Sequence, residues 1–473
     1  MAERPSHTTG DSPDSLQPAT GTAATAKANA SSKTGKSART SARKPPKTAN
    51  DQAQASAQSG GSPQGAQTAF ASAPPTSGAA SAAHPANDTQ ETPRLPTALI
   101  TDPAFLNHLV PDEFPEQPER LRLAMEVIDQ LLAAGTIPPE HVLRLSPRAA
   151  TRDELTTVHT AAYVEKVRRA VEALPAPMPG EHERAKKFAN EVYISSGSYT
   201  AATLAAGAPL IGLDAIAEGR ARNAYALTRP PGHHARPDQA MGFCLFNNIA
   251  VAARYAQRRH GWRKVLIVDY DVHHGNGTQE IFYEDADVVY FSTHQFPWYP
   301  GTGASAERGE GAGEGATINV PLPAGSGWSV YDPVFRQVLW PVADRFRPDV
   351  ILLSAGFDAH WLDPLAEMRL SNPDFSDFTL EVIEMADRYC DGRIVVVQEG
   401  GYHLDALAQC AATVLVALTG ERGIVDTLGQ PPQLDFRWNE EAIIQAIYQL
   451  HGLAGYRRKP RRPVVNGQAL DIP

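Results

Sequence analysis

The residues with the most chemical meaning fall in a few short stretches of the chain. In Asp271-Val272-His273 the two-residue spacing of an extended backbone turns a carboxylate and an imidazole to the same side. Asp358, in Gly356-Phe357-Asp358, adds a second carboxylate. Two carboxylates and one imidazole leave a fourth position open to water, which is the pattern of a catalytic zinc ion. A second ion would need a bridging acid. Position 275 is Gly, and Gly356 and His360 stand two residues to either side of Asp358, so one zinc is expected.

His233 and His234 lie in RPPGHH (229–234), where two prolines and a glycine limit their movement. A neutral imidazole there can take a proton from water and pass it to a leaving amine. Each ring needs a partner to set its tautomer, and Asp269 and Asn276 have the right chemistry. A carboxylate favours a charged ring, whereas an amide oxygen orients a ring that stays a base. Asp269 is therefore assigned to an electrostatic histidine and Asn276 to the general base. Tyr402, beside a glycine pair, can donate its hydroxyl to a developing oxyanion. Gly242-Phe243 and Trp298-Tyr299 place rings that can line a slot for an alkyl chain or pack in a core.

Elements must bring these stretches together. Short β-branched runs at 98–101, 224–228, 265–269, 288–292, 350–354 and 394–398 read as strands. Helical patterns fall between them at 118–134, 198–218, 245–260, 328–346, 374–389 and 404–418. This alternation predicts a three-layer α/β/α domain with a mostly parallel central sheet. Chemistry then belongs in the loops beyond the carboxyl ends of the strands. RPPGHH follows the run at 224–228, and Asp269 to Gly277 follow 265–269. Gly356 to Asp358 follow 350–354, and Glu399 to Tyr402 follow 394–398. Polar groups thus converge on one edge of an apolar sheet.

Composition sets the rest. Residues 1–95 are Ala/Ser/Thr/Pro-rich with few apolar side chains, so a disordered tail is expected, followed by a catalytic domain over 96–473. The tail holds nine Lys/Arg against six Asp/Glu in a chain of net charge −10. Its acid-free basic stretch, 27–47, is either a solvated linker or a weak nucleic-acid contact. Three scattered cysteines in 473 residues point to a reducing, cytoplasmic setting. No apolar run long enough to span a membrane is expected. The sequence leaves the oligomeric state open.

Five stretches together resemble the histone deacetylase family: RPPGHH (229–234), GFCLFNN (242–248), DYDVHHGNGTQ (269–279), SAGFDA (354–359) and EGGY (399–402). The likeness is nearest to class II members and bacterial histone deacetylase-like amidohydrolases, and it runs in order over about residues 96–420. It implies hydrolysis of N-acetyl- or N-acyl-lysine amides in a protein or peptide, with an acylated small amine such as an acetylpolyamine as the alternative substrate. A weakly catalytic acyl-lysine binding module is a further alternative. By the resemblance, Asp271, His273 and Asp358 match zinc ligands and His234 the general base in the His pair. Tyr402 matches the carbonyl-polarising tyrosine. Phe243 and Tyr299 match tunnel aromatics, although the second is usually Phe. A structural potassium ion would use Asp269, Asp271, His273, Ser292 and Thr293. Leu365 stands where polyamine-selective relatives carry Glu. The family's early signature begins with His, but here Phe114 stands there. The acid that anchors substrate backbone is matched only by Glu191.

Overall fold

The runs at 265–269, 350–355 and 394–398 lack polar alternation, so strands built from them must be covered on both faces. The computed structural model describes residues 94–175, 184–421, 426–433 and 439–453, with the backbone of 464–465 and 468–469. Nearly all of the expected tail, including the basic stretch 27–47, lies outside the described residues. The strands are β1 (Thr97–Ile100), β2 (Val142–Leu145), the hairpin pair β3 (Lys186–Ala189) and β4 (Val192–Ile194), β5 (Asn223–Ala226), β6 (Val265–Asp269), β7 (Val288–Gln295), β8 (Thr317–Leu322), β9 (Val350–Ala355) and β10 (Ile394–Gln398). Eight of them form one sheet in the order β2-β1-β5-β10-β9-β6-β7-β8. Every ladder in that sheet is parallel.

Period-two alternation divides the strand side chains between two cores. Leu266, Val268, Leu353 and Val396 join one, whereas Val265, Ile267, Leu352 and Val397 join the other. Helices Glu119–Ala133, Asn372–Tyr389 and Leu404–Thr419 bury residues in the first core, and Ala161–Glu172, Ser198–Ala217 and Asn248–His260 in the second. The result is the expected three-layer α/β/α domain.

Several details differ from the sequence reading. β2 and β8 extend the sheet at its two edges, where the sequence pattern had marked no strand. β2 is only partly buried, and β8 carries Pro321, which a central strand would reject but an edge tolerates. The pattern over 328–346 is helical throughout but widens to a π turn at Phe335–Leu339, between Pro333 and Pro341. Proline lacks the amide that would continue an α ladder, and a π turn accommodates the break. Among the described residues, helix Ser198–Ala217 is long and apolar enough to cross a membrane, although Thr200, Thr203 and Asp214 interrupt its apolar run. Most of its side chains are instead buried in the domain.

A buried ionic hub ties the start of the domain to the loops above the sheet. Glu116 accepts from Arg120 Nη1 at 2.9 Å and from Arg229 Nε at 2.7 Å. Arg229 also donates to the carbonyls of Glu116 and Phe105, at 2.8 and 3.1 Å. Arg120 donates to the carbonyls of Glu399 and Gly401, both at 2.6 Å. All three charged side chains are at most 3% exposed. Removing one partner of such a cluster leaves the others buried and uncompensated. Glu116→Ala is therefore expected to lower unfolding free energy by about 3–5 kcal/mol in urea titration. The exposed pair Arg122–Glu126 serves as control, and Glu126→Ala there should change stability by less than about 1 kcal/mol.

Candidate active site

The four loops singled out in the sequence follow β5, β10, β9 and β6, which are consecutive neighbours at the centre of the sheet. Parallel pairing puts all four carboxyl ends on the same edge, with Asp269 in register with Ser354, and Gln398 with Ala355. Side chains more than 160 residues apart in the chain therefore share one site.

Asp271, His273 and Asp358 offer three ligand atoms within 4.8 Å of one another, the one such group among the described residues. His273 Nδ1 lies 3.2 Å from Asp271 Oδ1 and 3.0 Å from Asp358 Oδ2. Backbone amides hold both carboxylates. His273 N–H and Gly400 N–H donate to Asp271 at 2.9 and 2.8 Å, and Val272 N–H donates to Asp358 at 2.9 Å. Two glycines make room for the cluster. A Cβ on Gly356 would stand 2.0 Å from Asp271 Oδ2, and one on Gly400 2.1 Å from Asp358 Oδ2. Burial and the Asp271 carboxylate raise the pKa of Asp358, whereas His233 and His273 outweigh burial at Asp271 and hold it low. Two buried carboxylates beside one imidazole, cradled by glycine backbone, fit a divalent cation with nitrogen and oxygen ligands.

The two histidines of RPPGHH stand in different environments. His233 Nδ1 is 3.1 Å from Asp269 Oδ2, and its Nε2 is 3.8 Å from Asp271 Oδ1. Burial works against its positive charge, but Asp271 and Asp269 outweigh it and push the imidazole up to about 10. His234 Nδ1 pairs with Asn276 Oδ1 at 2.8 Å. Burial, together with His233 and His273, holds it well below the usual histidine range. One ring is thus a cation and the other a neutral base whose Nδ1–H donates to an amide oxygen. Asp269 Oδ2 also accepts from Tyr290 Oη at 3.0 Å. Ser292, in register with Asp269, bonds His294 Nδ1 at 2.9 Å, while the buried Thr293 hydroxyl has no partner among the described residues.

A cavity of about 500 Å³ reaches this centre, with His234, His273 and Tyr402 in its lining. Phe243 and Tyr299 both face it, Phe243 edge-on to Tyr402 at 5.6 Å and Tyr299 edge-on to His234 at 5.2 Å. Gly242 lines it too, at φ +53°, and a Cβ there would stand 2.3 Å from the His234 ring. Glu191 lies in the turn between β3 and β4 at φ +57° and lines the same cavity, as do Leu365 and Trp298. Burial and the neighbouring Glu191 carboxylate raise the Tyr299 phenol. Phe114 forms part of the wall, edge-on to Phe243 at 5.0 Å. Burial raises the Tyr402 phenol well above its usual range despite the Arg120 guanidinium 4.9 Å from its ring, so it remains an O–H donor.

Sequence reasoning assigned no role to three groups that hold the site. Glu399 accepts from Gly232 N–H and His233 N–H at 2.7 and 3.1 Å and from Ser354 Oγ at 3.1 Å, which fixes the histidine loop. Glu116 with its two arginines is the second, and Asp363 is the third. Glu399 and Arg229 lie inside the motifs that were singled out, and an acid or base beside a catalytic stretch was the available signal. Asp363 lies between Asp358 and Leu365, but its partners Tyr402 and His403 are about 40 residues away.

Residues 114–418 match the family described as the histone deacetylase domain. The chain is 37% identical over 374 residues to a rice protein named histone deacetylase 10, chloroplastic, covering 76% of this chain and 83% of that one. It is 40% identical over 329 residues to a histone deacetylase-like amidohydrolase of Pseudomonas aeruginosa, covering 69% of this chain and 80% of that one. Among solved structures it resembles the crystal structure of the HDA15 HD domain, with a TM-score of 0.66 and 36% identity, over 76% of this chain and 96% of that one.

The glycine cradle gives a direct test of the cation site. Gly400→Ala would press a methyl group against Asp358 and Asp271. Affinity for a divalent metal, titrated against a chromophoric chelator, is expected to fall at least about 10- to 100-fold, as when groups around metal ligands are disturbed. Circular dichroism should show a folded variant, and unchanged affinity would mean that the carboxylates do not need this approach.

Proposed function

This chain belongs to the histone deacetylase family, and from that premise we propose that it is a zinc-dependent amidohydrolase that removes acetyl, or a related acyl group, from a lysine-type amine. One observation carries the reading. His273 of the three-ligand group, the neutral His234 and the phenol of Tyr402 meet at one cavity walled by Phe243, Tyr299 and Leu365. An aliphatic chain fits such walls, and the polar groups await an amide at its end.

Asp271, His273 and Asp358 would hold the ion. Bound there, zinc would supply Lewis-acid polarisation of the amide carbonyl and ease deprotonation of water. The remaining work falls to the chain itself. Phe243 and Tyr299 flank the acyl-lysine stem and exclude water from it. Tyr402 Oη–H donates to the carbonyl oxygen as charge develops. His234 Nε2, neutral and oriented by Asn276, takes the proton of the attacking water and delivers it to the leaving amine. His233, kept positive by Asp271 and Asp269, stabilises negative charge without exchanging its proton. The products are a carboxylate and a free amine. A structural potassium ion beside Asp269, Ser292 and Thr293 belongs to the same reading. So does a reducing, cytoplasmic setting, which the three buried free cysteines support.

The deciding experiment profiles the full chain on acetyl-lysine peptides, longer acyl-lysine peptides and acetylpolyamines. Turnover of the peptides is expected, lost with a strong chelator and restored by zinc. Selective turnover of acetylpolyamines, or peptide binding without hydrolysis, would replace the lysine-deacetylase assignment. Tyr402→Phe isolates one hydroxyl. An oriented donor to a developing oxyanion contributes about 3–4 kcal/mol, so kcat should fall roughly 100- to 1000-fold. Affinity for a hydroxamate, which is anchored mainly by the metal, should stay within about tenfold. Unchanged turnover would remove Tyr402 from the mechanism.

A further inference from the structure

Tyr402 follows a glycine pair in which Gly401 has φ +112°, a backbone free of side-chain restraint. Something must hold the phenol in place if it is to act as an oriented donor. Arg120 fixes the carbonyls of Glu399 and Gly401 just before it, both at 2.6 Å. The amides that follow are held by a residue outside the glycine loop. Asp363 Oδ2 accepts from Tyr402 N–H at 2.6 Å and from His403 N–H at 3.3 Å. Its Oδ1 accepts from Leu365 N–H at 2.9 Å. The residue is 6% exposed, so these contacts form away from water. Burial and Asp358 push its carboxyl up to about 7, while the three amides pull the other way.

The same carboxylate reaches the rim of the cavity. Leu365, whose amide it holds, accepts from Trp298 Nε1 at 2.9 Å through its carbonyl oxygen. Two residues on, Glu367 N–H donates to Gln295 Oε1 at 2.8 Å, which ties the segment to the end of β7. One buried side chain thus joins the tyrosine loop to two residues, Leu365 and Trp298, that line the cavity.

We propose that Asp363 is the positioning residue for Tyr402: its carboxylate clamps the tyrosine's own amide and fastens that loop to the Leu365–Trp298 rim. The inference rests on the hydrolytic reading above, because it concerns how that reading's oxyanion donor is held. The hydrogen bonds of Asp363 go to the amides of Leu365, Tyr402 and His403 rather than to Asp271, His273 or Asp358, and it stands outside the cavity lining. It acts on the rate through Tyr402, and it couples the rim to the chemistry.

The test uses full-length Asp363→Ala, which removes all three acceptors, and Asp363→Asn, which keeps the shape and one oxygen. On an acetyl-lysine peptide, kcat is expected to fall about 100-fold in the Ala variant, the order of loss for a displacement near 1 Å, and less in the Asn variant. KM and hydroxamate affinity should stay within about threefold of the parent. In a Tyr402→Phe background the further loss should be under about threefold, since no hydroxyl remains to be positioned. Losses that simply multiply would overturn the proposal. Hydrogen exchange supplies a readout that needs no turnover. The amides of Tyr402 and His403 should exchange faster in both variants while β6 and β9 keep their protection. Unchanged exchange there would overturn the tether even in an active enzyme. If the parent chain hydrolyses no acyl-lysine amide, the proposed function fails, and the exchange measurement still decides whether Asp363 holds the loop. Should the Ala variant not fold, the Asn variant carries every arm.

Discussion

Buried negative charge governs this site. Asp269, Asp271, Asp358 and Glu399 are fully buried at the carboxyl ends of adjacent strands, with Asp363 nearly so. An unpaired carboxylate in a dry interior is strongly unfavourable, so each needs donors or a cation. The loops supply donors because their amides have left the ladder and have no strand partner. Nine such amides, from Gly232 to His403, point at these five side chains. Glycine at 356 and 400 lets backbone approach where any side chain would collide. What the amides leave uncompensated at Asp271 and Asp358 makes the spot attractive to a metal ion.

The same field divides two adjacent, identical side chains into opposite roles. His233 faces Asp269 and Asp271, and their charge overcomes the penalty of burial. His234 faces an amide oxygen and two other imidazoles, and nothing overcomes that penalty. Which ring holds its proton more tightly is thus decided by which partner each Nδ1 meets. Those partners come from β6 and the helix that begins at Asn276, not from the loop that carries the histidines.

Rigidity reaches outward from the charged centre through two further side-chain systems. Glu116 with Arg120 and Arg229 binds the first helix to the loops after β5 and β10. Asp363 binds the loop after β10 to the rim beyond β7. Both are buried, so their hydrogen bonds are little weakened by competition with water. Preorganised donors of this kind are the condition under which one hydroxyl or one imidazole can be worth several kcal/mol in a transition state.

Much of this was legible in the chain itself. Strands buried on both faces announce themselves by unbroken apolar runs, and an all-parallel sheet confines function to the loops at one edge. The Asp271–His273 spacing and the histidine pair marked, in residue type and separation alone, groups that the fold brings to one site. The edge strands β2 and β8 were not legible, because short, half-exposed or proline-bearing segments lack a period that sets them apart from loops. Strand order was not legible either. β9 and β10 return to the middle of the sheet, and that return alone sets Asp358 and Tyr402 beside Asp271 and His234. Glu116, Asp363 and Glu399 escaped for the same reason. Beside a near neighbour such as Arg120 or Leu365, each also meets backbone amides or a guanidinium group distant in sequence, and those partners are chosen by tertiary packing.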